Sequence, residues 1–156
     1  MHLSIIKSYQ IQTIHTLMRY PILGMTIETL FLIMKNNSGI SFEFGLDIKD
    51  STWIDVRCPR EFLKGHFTGA INIPIFSNAE YEELGTIYRT QGQKEAIQLG
   101  EKYAKESTVN ILNQISNLNS QNLIIYCARG GMRSKGVQKL LNDAGLMTYR
   151  IDRDDE

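Results

Sequence analysis

Apolar and polar positions change their rhythm several times along this chain. Residues 52–56 (TWIDV) and 122–126 (NLIIY) are short, nearly continuous apolar runs closed by polar turns. That is the pattern of strands buried on both faces of a parallel sheet. Residues 40–44 (ISFEF) alternate instead and predict an edge strand. Cys58-Pro59-Arg60-Glu61-Phe62 predicts a short helix with Pro59 in its first turn. Gly65 and Gly69 bracket a turn before a short strand over residues 70–74. Residues 79–118 predict two or more helices, with Ala96, Leu99, Tyr103, Val109, Leu112, Ile115 and Leu118 at roughly helical spacing. A further helix presents Val137, Leu140, Leu141 and Ala144 inward and closes at Gly145, and residues 147–151 predict a last strand. Strands separated by helices imply an α/β domain whose parallel sheet is covered on both faces.

The first 37 residues differ from the rest in their dense apolar content. Arg19, Pro21, Gly24 and Glu28 interrupt that run, leaving less than the roughly 20 residues a spanning helix needs. A peripheral or partner-packing helix is the expected reading, not a membrane span. Asn36-Asn37-Ser38-Gly39 reads as a linker. The expected organisation is therefore an apolar extension and linker at 1–38, one domain at 39–152, and an acidic tail at 153–156. A total of 156 residues suits one full core.

Formal net charge is zero, so no global basic field draws in nucleic acid, and any RNA contact is local or comes from another chain. Two cysteines, Cys58 and Cys127, are too few for a disulfide framework. A reducing, cytoplasmic setting is expected, where a free thiol can serve chemistry. His2 and His15 lack metal-ligand spacing, and no metal site is expected.

The chemistry concentrates in Tyr126-Cys127-Ala128-Arg129-Gly130-Gly131-Met132-Arg133-Ser134. Cys127 lies between a strand end and a helix start, where open α/β sheets bind ligands. Unpaired N–H groups and the helix dipole favour a thiolate there. Gly130 and Gly131 permit an anion nest, and Arg129 and Arg133 add positive charge. The alternative is a buried cysteine beside an ordinary glycine turn. The Cys-x5-Arg spacing from Cys127 to Arg133 also suits the phosphate cradle of a cysteine-dependent phosphatase. Such an enzyme needs an acid for its leaving group, and Asp55 and Glu61 are candidates by type.

Asp55-Val56-Arg57-Cys58-Pro59-Arg60-Glu61-Phe62, followed by residues 65–74 (GHFTGAINIP), resembles the signature that opens rhodanese domains. Residues 84–92 (LGTIYRTQG) with 96–100 (AIQLG) are similar to a segment of the tRNA 2-selenouridine synthases, as is the 127–134 loop (CARGGMRS). The resemblance spans residues 50 to 146. It implies a rhodanese-like three-layer α/β/α fold with Cys127 as nucleophile and chalcogen carrier, and residues 128–134 as an anion-binding loop. It implies exchange of sulfur for selenium at the wobble 2-thiouridine of tRNA, through a geranylated intermediate. Selenophosphate is the implied co-substrate and no other cofactor is needed. tRNA and an enzyme that makes selenophosphate are the implied partners. Such enzymes also carry a C-terminal phosphate-loop domain. The chain runs instead from Tyr149 to Glu156 without the family's Gly-Gly-Tyr-Lys-type turn. A fragment or split half is expected, with tRNA work needing the second domain.

Three functions compete: chalcogen transfer, phosphatase-like hydrolysis, and a catalytically incomplete binding module. Asp55 and Arg57 are expected as a buried structural pair, with Glu61 and His66 in supporting roles. Cys58 is expected at the core edge, not as a partner that resolves a Cys127 persulfide. Arg89, Lys94, Lys102 and Lys105 are interleaved with glutamates and are expected on a solvated helix face.

Overall fold

Two strands that need burial on both sides set the architecture. Ser51–Asp55 (β1) and Asn122–Tyr126 (β3) pair in parallel, with Trp53 opposite Ile124, Ile54 opposite Ile125 and Asp55 opposite Tyr126. Trp53, Ile54, Leu123, Ile124 and Ile125 are all buried. Because side chains alternate across a strand, Trp53 and Ile124 enter one core while Ile54, Leu123 and Ile125 enter the other. Two-residue strands complete the sheet: Ile71–Asn72 (β2) beside β1, and Tyr149–Arg150 (β4) beside β3. The order is β2-β1-β3-β4, parallel throughout.

The structure is a computed structural model and describes residues 39–128, 131–146 and 148–152. The apolar extension, most of the linker, Arg129, Gly130 and the acidic tail lie outside the described residues.

Helices cover both faces, which gives the expected three-layer α/β/α arrangement. Gln93–Ser116 (α4) and Met132–Asp143 (α5) cover one face through Ile111, Ile115, Val137 and Leu141. The other face is covered by Phe42–Asp47 (α1) and Pro59–Lys64 (α2) through Phe44 and Phe62. Asn78–Thr90 (α3) forms a hairpin with α4 and buries no residue fully. Its start is fixed by a capping box, in which Ser77 Oγ accepts from Glu80 N and Glu80 Oε2 accepts from Ser77 N. Among the described residues no helix is long and apolar enough to cross a membrane.

Three local expectations need correction. The alternating 40–44 segment is not a strand. Ile40 alone bridges to Ile151, and Ser41 then starts α1 by accepting from Phe44 N at 3.2 Å. The N-cap hydrogen bond wins because the sheet edge needs only Ile40, whose N–H already reaches Arg150 O at 2.8 Å. The strand expected over 70–74 shortens to two residues. Ile73 and Ile75 still donate to Asp55 O and Val56 O, but Pro74 between them has no N–H to give. In α4 the phase slips: Ile111 is fully buried whereas Val109 is 67% exposed.

This slip is directly testable. Ile111→Ala is expected to destabilise the domain by about 2–5 kcal/mol, the range for emptying a packed aliphatic site. Val109→Ala is expected to change stability by less than about 0.5 kcal/mol, as for an exposed surface site. Urea unfolding of the two variants beside the parent checks the contrast.

Candidate active site

Parallel β1 and β3 end level with each other, so the turns that follow them meet at one edge of the sheet. Cys127 is the first residue after β3 and is half-buried. Its Sγ lies 3.2 Å from Ser134 Oγ and 3.2 Å from the carbonyl oxygen of Ala128. Ser134 is fully buried in the first turn of α5, and its hydroxyl donates to Gly131 O at 3.0 Å. The same hydroxyl can turn to donate to a sulfur anion at Cys127.

Gly131 precedes α5 with φ of 63°, in the left-handed region. A Cβ there would also meet Arg150 Nη1 at 3.4 Å. Arg150 is 2% exposed. It pairs with the Asp152 carboxylate and donates from Nε to Gln138 Oε1 at 3.1 Å. A buried guanidinium thus underlies the start of α5. Its hydrogen bond holds the Asp152 carboxyl below the usual range, against burial.

The supporting residues fall into two ion pairs. Asp55, fully buried, accepts from Arg57 N at 2.9 Å and from both Nε and Nη2 of the same residue, the latter at 2.6 Å. Arg57 Nη2 also donates to Gly65 O at 2.6 Å, tying the end of β1 to the turn after α2. Glu61 accepts from Cys58 N at 3.1 Å and from Arg133 at 2.5 and 3.1 Å. Arg133 lies 4.9 Å over the Tyr81 ring as well. Its guanidinium, expected in an anion cradle, is therefore held by Glu61 and Tyr81. Burial alone would raise the Glu61 carboxyl, but the hydrogen bonds from Arg133 and Cys58 outweigh it and hold it at about 2.

His66 is exposed. Its Nδ1 lies 2.9 Å from Phe62 O, and its ring stacks on Phe62 at 3.7 Å between centroids. Cys58 is 1% exposed, and burial pushes its thiol up, as suits a core-edge residue. Met132 is 61% exposed at the start of α5.

A cavity of about 540 Å³ opens beside Cys127. Ala128, Gly131, Arg57, His66 and Tyr126 line it, together with residues to which the sequence reading gave no role: Phe42, Trp53, Phe67, Lys135 and Asp152. For Lys135 the signal was present, since it stands one helical turn beyond Gly131. The aromatic residues come from four separate segments, so no local pattern groups them.

The Glu61–Arg133 pair predicts a pH dependence. A carboxyl whose folded value lies below its ordinary 4.5 stabilises the fold fully above that pH, and the contribution is lost as pH falls toward about 2. Glu61→Gln is expected to lower stability at neutral pH and to flatten the loss of stability across that acid window. Denaturant unfolding of parent and variant as a function of pH measures both effects.

Known proteins agree with this architecture. The rhodanese-like domain family matches residues 43–152. A tRNA 2-selenouridine synthase of Pseudomonas savastanoi pv. phaseolicola is 40% identical over 110 residues, covering 68% of this chain and 30% of that protein. The enzyme of the same name from Nitrosomonas europaea is 40% identical over 111 residues, covering 69% and 29%. The chain thus spans about 30% of the length of these curated relatives. Among solved structures, the N-terminal domain of a Clostridium difficile 630 protein described as ATP/GTP binding is 41% identical. It has a TM-score of 0.68 and covers 74% of this chain and 91% of that one. With most of its length matched, and with a parallel sheet whose carboxyl edge carries the cysteine loop, the chain belongs to the rhodanese-like domain family.

Proposed function

We propose that this domain carries a transferable sulfur on Cys127 as one step in chalcogen exchange on tRNA. The observation that carries the reading is the position of Cys127. It is a free, half-buried cysteine at the carboxyl edge of the sheet, 3.2 Å from a buried hydroxyl and open to a cavity. A thiolate is the reactive form of cysteine. With thiosulfate, it attacks the outer sulfur, an Sγ–S bond forms, and sulfite leaves with the electron pair of the broken S–S bond.

Selenophosphate is the proposed selenium donor. Its selenium, already at the selenide level, attacks the thiolated carbon of the acceptor, the sulfur leaves that carbon, and water takes the phosphoryl group as phosphate. The anionic head is received by backbone N–H groups at the start of α5 and by Lys135. Arg133 serves this site by holding α5 against Glu61. A phosphatase-like reaction is disfavoured because both candidate acids are engaged. Asp55 is buried against Arg57, and Glu61 is ionised against Arg133.

The relatives are named for synthesis of 2-selenouridine in tRNA. Transfer to the wobble uridine is accordingly proposed as the destination, carried out with the further length that those relatives possess. A cytoplasmic setting and a selenophosphate-producing enzyme as partner belong to the same proposal.

Incubating the chain with thiosulfate and recording its intact mass tests the reading. The expected result is a gain of one sulfur that is lost in Cys127→Ser. No gain in the parent, or the same gain in Cys127→Ser, overturns it.

A further inference from the structure

The aromatic wall of the cavity has no part in handling an inorganic donor. Phe42, Trp53, Phe67 and Tyr126 form one contiguous cluster on the same face of the sheet. Phe42 stands edge-on to Trp53 at 5.5 Å and to Phe67 at 5.6 Å between ring centroids. Trp53 lies 4.3 Å from Phe67 and 6.2 Å from Tyr126. The cluster is braced, since Tyr126 Oη accepts from Phe67 N at 3.1 Å. Tyr126 is the immediate neighbour of Cys127, so the wall begins one residue from the sulfur. Phe42 remains 42% exposed although Trp53 beneath it is only 7% exposed.

The polar lining is of a different kind. Lys135, Arg57 and His66 supply cationic or hydrogen-bonding groups, and Asp152 supplies an acceptor. Of these, the Arg57 guanidinium is committed to Asp55 and Gly65, which among the described residues leaves Lys135 as the lining cation suited to an anionic ligand group. A ligand matched to this lining has a flat π-face for the aromatic wall, a polar edge, and a phosphate for Lys135. Unstacked nucleotides bind proteins in this way, with the ring on aromatic side chains and the phosphate on a nearby cation. About 540 Å³ is ample for one nucleotide.

We infer that the cavity walled by Phe42, Trp53, Phe67 and Tyr126 is the acceptor subsite, taking a single flipped-out thiolated pyrimidine nucleotide beside the sulfur of Cys127. The inference rests on the chalcogen-transfer reading and adds where the acceptor lies. Donor and acceptor thus visit one cavity in turn: the inorganic anion or the nucleotide's phosphate takes the amide and lysine end, and the base alone takes the aromatic end.

Trp53 is the sole tryptophan of the chain, so its emission reports on this wall alone. Titration of the full chain with 2-thiouridine 5′-monophosphate is expected to quench that emission saturably. Ribose 5-phosphate, which lacks the base, is expected to leave it unchanged. Removing one stacking ring with Phe42→Ala should weaken nucleotide binding by about tenfold, and Phe42→Tyr should restore most of it. Circular dichroism of both variants verifies folding. Equal responses to the nucleotide and to ribose 5-phosphate, or unchanged affinity in folded Phe42→Ala, would overturn the inference. Loading of Cys127 in the parent, read by mass, separates the two levels. Loading without nucleotide quenching sinks the acceptor subsite alone, whereas no loading sinks the transfer reading beneath it.

Discussion

The parallel registration of β1 with β3 is the constraint on which the rest of the molecule depends. Asp55 stands opposite Tyr126, so both strands finish at the same level and their following residues share one edge. A shift of β3 by one residue would send Ile124 into the opposite core from Trp53 and carry Cys127 away from the cavity. The shift is blocked because both faces are packed, one by α4 and α5 and the other by α1 and α2. Burial that holds the sheet together therefore also aims the sulfur.

Paired charges then stiffen the edge where the strands end. Asp55 holds Arg57, and Arg57 holds the Gly65 turn. Glu61 joins the start of α2 to Arg133 on α5. Arg150 and Asp152 brace the start of α5 from below. Each guanidinium is largely buried and each meets a carboxylate, which is the condition for tolerating such charges inside a protein. The consequence for chemistry is selective. These arginines hold geometry, and among the described residues Lys135 is the lining cation proposed for an anionic ligand.

The cavity is correspondingly two-sided. On one side are the sulfur, a buried hydroxyl and the start of a helix. On the other are rings whose mutual edge-to-face contacts fix their orientation. Tyr126 belongs to both: it ends β3 next to Cys127 and supports the loop that carries Phe67. This arrangement suits a reaction in which a small anion and a larger flat group must approach the same atom in turn.

What the sequence determined alone was everything carried by short-range pattern. The apolar runs at 52–56 and 122–126 marked the buried strands, Pro59 marked the start of α2, and the glycines after Cys127 marked the loop that precedes α5. Such signals are legible because neighbours in the chain share one local geometry. The tertiary structure decided the partners. Arg133 read as a free cation until Glu61, 72 residues away, was found against it. Ile40 lost its strand companions to a helix capped by Ser41, and Ile111 displaced Val109 from the core by a small change of helical phase. The aromatic wall draws one residue each from positions 42, 53, 67 and 126. No periodicity links such positions, because only packing of the sheet against its two layers brings them into contact.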